Sequence, residues 1–239
     1  MKRVSWRGLK SVPRSLSIIC FIVCSVILVD CRNNPSSPIT PGSMQERLVY
    51  VALGASDAVG LGAFPLENGY VYKIRDSLKA YAPNVELHNL GVICKLSEYL
   101  ESTELPTAIA HQPDVVTIWT GPNDLTVGVD VATFETHLGN IFARLRQQTS
   151  ALIVMANIPD MTVLPRFQLL PDADVTLERV HAYNAAIVRQ TAAYNIPLVD
   201  LYAARCSEKK EYIGLDGFHP SNAGYAKMAE LYLEQIVTH

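Results

Sequence analysis

From Arg47 to the C-terminus the chain alternates short apolar runs with longer stretches of helical spacing, and this rhythm constrains the fold more than any other feature. Residues 48–53 are uninterruptedly apolar, the pattern of a strand covered on both faces. Over 68–80, Val71, Ile74 and Leu78 fall at helical spacing. A second strand is expected over 85–90. One or two short helices follow over 96–110, interrupted near Pro106. Residues 114–119 form the clearest strand. Phe134, Leu138, Ile141, Phe142 and Leu145 mark a helix, residues 151–156 a fourth strand, 175–194 a long helix and 197–201 a fifth strand. A last helix spans 223–237, with Ser221 or Asn222 as its N-cap. Strand and helix alternating through one domain imply α/β architecture: a mostly parallel five-stranded sheet with helices on both faces.

Residues 157–174 break the rhythm. They carry Met161, Val163, Leu164, Phe167, Leu169 and Leu170 together with Pro159, Pro165 and Pro171. Three prolines argue against a regular helix. An apolar loop of this length is expected to act as a lid or a pocket wall, with Phe167 as a candidate substrate contact.

The first fifteen residues contain Lys2, Arg3, Arg7, Lys10 and Arg14 and no acid. An apolar run over 16–29 follows. It is shorter than the roughly 20 residues that span a bilayer, and a basic stretch ahead of such a run is the secretory signal pattern. Residues 1–30 therefore read as a targeting segment and 31–46, rich in Pro, Ser and Asn, as a tether. The folded domain is 47–239. Leu28-Val29-Asp30-Cys31 resembles a bacterial lipobox, although Asp30 stands where a small residue is usual. The resemblance implies membrane attachment through lipidation of Cys31; ordinary cleavage, or an uncleaved anchor, is the alternative. Either way an extracytoplasmic location is expected.

Formal net charge is −3, and taking away residues 1–30, with their five cations and one acid, leaves −7. An acidic domain does not hold a phosphate backbone, so nucleic acid is excluded as a partner. An apolar fraction of 49% and a charged fraction of 18% exclude disorder of the whole chain. Five cysteines are too few for a disulfide scaffold. Cys20 and Cys24 fall in the apolar run. Cys94 and Cys206 remain in the domain and read as two buried free thiols rather than a bridge.

In an open α/β sheet, ligands bind beyond the carboxyl ends of the strands. Gly54-Ala55-Ser56-Asp57 follows the first strand, Asn89-Leu90-Gly91 the second, and Gly121-Pro122-Asn123-Asp124 the third. Asp216-Gly217-Phe218-His219-Pro220 precedes the last helix. A serine hydroxyl attacks a carbonyl only when a base takes its proton, and His219 can titrate near working pH. Asp216, three residues earlier, can hold the far ring nitrogen and stabilise imidazolium. The oxyanion formed by attack needs preorganised donors, which the Ser56 and Gly91 N–H groups and the Asn123 amide can supply. Asp124 is expected to brace its loop.

At these residues the chain resembles the SGNH hydrolases, the GDSL esterase/lipase family, over roughly residue 48 to the end. Ser56 matches the nucleophile block, Gly91 the second block, Asn123 in Gly-x-Asn-Asp the third, and Asp216 and His219 the final Asp-x-x-His. The resemblance implies a flavodoxin-like three-layer α/β/α sandwich and metal-free ester hydrolysis through a Ser56–His219–Asp216 triad. Two departures stand out. The family's Gly-Asp-Ser-Leu is Gly-Ala-Ser-Asp here, so the turn at Ser56 lacks its usual acid at Ala55, and Asp57 stands beside the nucleophile. Val92-Ile93-Cys94 replaces the small polar residues usual after the second block. Asp57 and Phe64 join Phe167 as candidate substrate contacts.

Other chemistries find no support. Gly60-Leu61-Gly62 lacks the third glycine of a dinucleotide fingerprint. There is no P-loop, no HExxH, no paired CxxC and no Gly-x-Ser-x-Gly elbow around Ser56, so no cofactor or metal is expected. The apolar 157–174 segment and Phe64 favour a small-molecule or lipid ester, lipid-like or aryl, as substrate. Deacetylation or O-acyl transfer on a cell-envelope carbohydrate is the alternative; an inactive envelope-binding module is the alternative from another class.

Overall fold

The computed structural model describes Glu46–His239. The targeting segment and the tether up to residue 45, including Cys31, lie outside the described residues. Among the described residues no helix is long and apolar enough to cross a membrane.

Five strands form one sheet: β1 (Arg47–Gly54), β2 (Asn84–Asn89), β3 (Val115–Trp119), β4 (Leu152–Ala156) and β5 (Leu198–Val199). All pairings are parallel and the order is β2-β1-β3-β4-β5. This is the flavodoxin-like order that the family resemblance implies, with its switch point between β1 and β3. Apolar runs at β1, β3 and β4 are buried throughout because helices cover both faces.

The helices are α1 (Ser56–Val59), α2 (Tyr70–Leu78), α3 (Ser97–Tyr99), α4 (Leu105–Ala110), α5 (Pro122–Thr126), α6 (Val131–Gln148), α7 (Pro165–Leu169), α8 (Leu177–Ala193) and α9 (Asn222–Thr238). Side chains alternate across the strands. Val49, Val51 and Leu53 of β1 pack with Phe134, Leu138 and Ile141 of α6 and Tyr183 and Ile187 of α8. Leu48, Tyr50 and Ala52 pack on the other face with Ile74 of α2 and Tyr225, Met228 and Tyr232 of α9. Three long helices start on side-chain caps: Asp130 before α6, Thr176 before α8 and Ser221 before α9.

Three expectations need correction. The break near Pro106 is absent: α3 runs into α4 through a π-helical turn, Leu100–Glu104. Pro106, which has no N–H to give the helix, follows directly on that widened turn. Residues 157–174 are not one loop. They contain a 3₁₀ turn, Met161–Val163, and α7, which starts on Pro165, so a proline read as a breaker acts as an initiator. The fifth strand is two residues long rather than five.

Candidate active site

The site lies beyond the carboxyl ends of β1 and β3. Ser56 opens α1 directly after β1 and is buried. Its backbone N–H is in the first turn of a helix and has no intrahelical acceptor. Gly60 closes the turn with φ +95, and its N–H returns to the carbonyls of Ser56 and Asp57.

Asp216 and His219 sit in one pinned loop. Ile213 and Pro220 form an antiparallel bridge across it, and the Gly214 N–H donates to the His219 carbonyl at 2.7 Å. Inside the loop, Asp216 Oδ1 accepts from the N–H groups of Phe218 and His219, both at 3.0 Å. This Asx-type turn fixes the carboxylate before it meets the ring. Asp216 Oδ2 then lies 2.5 Å from His219 Nδ1, and His219 Nε2 lies 2.9 Å from Ser56 Oγ. Burial opposes ionisation of Asp216, but the bond to His219 and the two N–H donors hold its pKa below the ordinary carboxylate value. Phe218 meets His219 edge-on at 4.8 Å and Phe167 at 5.7 Å, so α7 backs the loop that carries the base. Gly62 makes the close approach possible: a Cβ there would fall 2.7 Å from that of His219 and 2.6 Å from the Pro220 carbonyl oxygen.

The expected oxyanion donors differ in their engagements. The Asn123 amide donates one hydrogen to the Lys95 carbonyl at 2.9 Å and keeps its second. The Gly91 N–H is drawn to Asn89 Oδ1 at 3.2 Å, while Asn89 Nδ2 donates to the Ala58 carbonyl at 2.6 Å. Asp124 braces the loop as expected, accepting from Ser97 Oγ at 2.5 Å and from the Ser97 N–H at 3.1 Å.

The candidate substrate contacts separate. Asp57 is buried and lines an apolar cavity of about 40 Å³, walled by Trp119, Met161, Leu164, Phe218 and Met228. Burial raises the Asp57 carboxyl to about 6, although the neighbouring His219 draws it down. Asp57 also lines a smaller notch of about 10 Å³ beside Asn123. Phe64 is 89% exposed, at the rim of an open groove with Leu215. Asn222 holds the Phe64 backbone through two bonds of 2.9 Å. Phe167 is buried and touches Phe218 of the Asp216–His219 loop but does not line the cavity. Cys94 is exposed and Cys206 buried; both are free, so the expectation that both thiols are buried fails at Cys94. Cys94 sits on the site-side loop with φ +62, which turns it outward.

Sequence reasoning overlooked Asn89, Ser97 and Glu104. Asn89, two residues before Gly91, carries an Asx-turn signal. Ser97 carries none, because its partner is 27 residues away. Glu104 shows itself only as an acid on a face otherwise formed by Leu100, Leu105 and Ala108.

The family model described as GDSL-like lipase/acylhydrolase matches residues 52–227, which takes in all of these residues. The chain belongs to the GDSL-like lipase/acylhydrolase family. This GDSL-like chain is a carboxylic ester hydrolase. It is 25% identical over 211 residues to the spore germination lipase LipC of Bacillus licheniformis, a match covering 77% of this chain and 93% of LipC. Among solved structures it is similar in fold to TesA, with TM-score 0.65, 19% identity and coverage of 79% of this chain and 97% of TesA. It is also similar to the psychrotrophic esterase EstA of Pseudoalteromonas sp., with TM-score 0.64, 16% identity and coverage of 80% and 97%.

Proposed function

We propose that this hydrolase cleaves lipid-like or aryl esters through an acyl-enzyme on Ser56. The observation that carries the reading is the His219 imidazole bridging Asp216 Oδ2 and Ser56 Oγ. In the first half-reaction Ser56 Oγ attacks the ester carbonyl and His219 Nε2 takes the hydroxyl proton. Asp216 stabilises the imidazolium and holds the tautomer that presents Nε2. The Ser56 N–H and the second Asn123 amide hydrogen stabilise the oxyanion, with the Gly91 N–H shared between it and Asn89. His219 then gives its proton to the leaving alcohol. In the second half-reaction water loses a proton to His219 and attacks the acyl carbonyl; as the bond to Ser56 Oγ breaks, His219 returns that proton to Oγ and the acid leaves.

The cavity next to Asp57 supports an apolar acyl or aryl group, because its walls are aromatic and aliphatic. The exposed Phe64 and Leu215 at the groove rim suit contact with the rest of an apolar substrate. The lipase name of LipC points the same way. Export and anchoring through Cys31 complete the proposal and would place the site outside the cytoplasm. A second reading, removal of acetyl groups from an envelope carbohydrate, is favoured by the notch beside Asn123, which has room for about one methyl-sized group.

Fluorophosphonate labelling of the intact protein, with mass mapping of the modified peptide and of the mature N-terminus, tests the proposal. Modification of Ser56, lost in Ser56→Ala, is expected; labelling retained in that variant refutes the nucleophile. A p-nitrophenyl ester series then separates the substrates. Activity extending to butyrate and longer supports the first reading, and strict acetate preference supports the second.

A further inference from the structure

The turn before Ser56 lacks the acid usual in its family, and the space beneath it holds a different one. Glu104 closes the π-helical turn and is 3% exposed. Its Oε2 accepts from the Gly54 N–H at 3.0 Å, across 50 residues of chain. Its Oε1 is buried without a hydrogen-bond partner. The geometry explains why a side chain is needed there. Pairing of β1 with β2 ends at Ala52 and Asn89, although the Ala52 and Gly54 carbonyls still accept from the N–H groups of Leu90 and Val92. The Gly54 N–H faces this same edge, where β2 no longer runs as a strand. A buried N–H without an acceptor is costly, and Glu104 supplies the acceptor.

We infer that Glu104 is a positioning residue for the nucleophile, acting as a buried acceptor that fixes the Gly54–Ser56 turn so that Ser56 Oγ meets His219 Nε2. Three observations converge on it. Ala55, the residue preceding α1, provides no side-chain cap. Gly54 packs tightly against the end of β3, where a Cβ would fall 2.7 Å from the Trp119 carbonyl oxygen. The π-helical turn inserts the extra residue that turns position 104 inward, and such insertions recur at functional sites. Burial raises the Glu104 carboxyl to about 8, so the acceptor is a neutral acid at neutral pH and places no charge under the nucleophile.

The inference rests on Ser56 being the nucleophile, and the test separates the two claims. Three variants, Glu104→Gln, Glu104→Asp and Glu104→Leu, are compared with wild type for kcat and KM on a p-nitrophenyl ester. Amide hydrogen exchange of the peptide covering 53–60 is measured in parallel. Gln keeps a neutral acceptor of the same reach, so kcat within about threefold of wild type and unchanged exchange are expected. Asp is one methylene too short and Leu has no acceptor. Both are expected to lower kcat at least tenfold, with KM within about threefold, and to speed exchange at 53–60 while leaving α9 protected. Wild-type kcat and exchange in Asp or Leu overturn the inference, as does a Gln variant as impaired as Leu. Should Leu fail to fold, Asp and Gln decide alone. Exchange reads the turn even in a chain without esterase activity, so failure of the Ser56 assignment leaves this test standing.

Discussion

The side-chain amide of Asn123 donates to the backbone carbonyl of Lys95 at 2.9 Å, tying the end of β3 to the loop after β2. One amide hydrogen is thereby committed and the rotamer fixed, leaving the second available without further reorganisation. Asn123→Ala is therefore expected to lower kcat by about 10²–10³ with little change in KM. Steady-state kinetics on a p-nitrophenyl ester checks this, and an unchanged kcat removes Asn123 from the oxyanion site.

Asp216→Asn leaves the loop geometry nearly intact but favours the wrong tautomer of His219. A fall in kcat of about 10²–10⁴ is expected. The folded pKa of Asp216 lies below its ordinary value, so its contribution to stability is present above the unfolded value and lost as pH falls through the folded one. The Asn variant should accordingly lose less Tm than wild type on acidification below about pH 4. Equal acid sensitivity of the two would contradict the pairing with His219.

Two buried acids act in the opposite sense. Asp57 is raised to about 6 and Glu104 to about 8, both chiefly by burial. Each contributes fully only below its unfolded pKa, near 4, and that contribution is lost as pH rises through the folded value. Wild-type Tm is expected to decline from pH 4 upward. Asp57→Asn should flatten the decline up to about pH 6, and Glu104→Gln should flatten it up to about pH 8. At the top of its own window each variant should melt above wild type, and the gain should be larger for Glu104→Gln, whose carboxyl is raised further, than for Asp57→Asn. Scanning fluorimetry across pH 4–9 reads both, and parallel curves for wild type and variants would show that these acids ionise freely in the folded state.

The cysteines give a chemical check on the loop after β2. Cys94 is exposed and Cys206 buried. Iodoacetamide should modify Cys94 at least tenfold faster than Cys206 in the native protein, with equal rates in denaturant. Mass mapping of the two peptides decides, and a Cys94–Cys206 bridge would appear as resistance of both.

The strands and their cover of helices on both faces were legible in the sequence because double-sided burial leaves uninterrupted apolar runs at β1, β3 and β4. Ser56, just past the end of β1, and the Asp216-x-x-His219 spacing ahead of α9 were legible as candidates, and the fold brings the three side chains within hydrogen-bond distance. What escaped has physical reasons. Pro106 and Pro165 look like breakers, but Pro165 stands in the first turn of α7, where no N–H is needed, and Pro106 follows directly on the π-helical turn that carries α3 into α4. The two-residue β5 is shorter than the expected 197–201, because the Leu201 N–H turns back to the Val199 carbonyl at 3.2 Å instead of pairing with β4. Glu104 and Ser97 act on backbone or carboxylate partners 50 and 27 residues away. Such long-range polar pairs leave no periodic trace in a single chain.

The bridge between Ile213 and Pro220 means that Asp216 and His219 travel as one rigid unit. Swinging that unit outward would part the imidazole from Ser56 while leaving its own carboxylate partner in place. The contact between His219 and Ser56, 163 residues apart in the chain, is thus the one link of the three set by how this loop packs against α1.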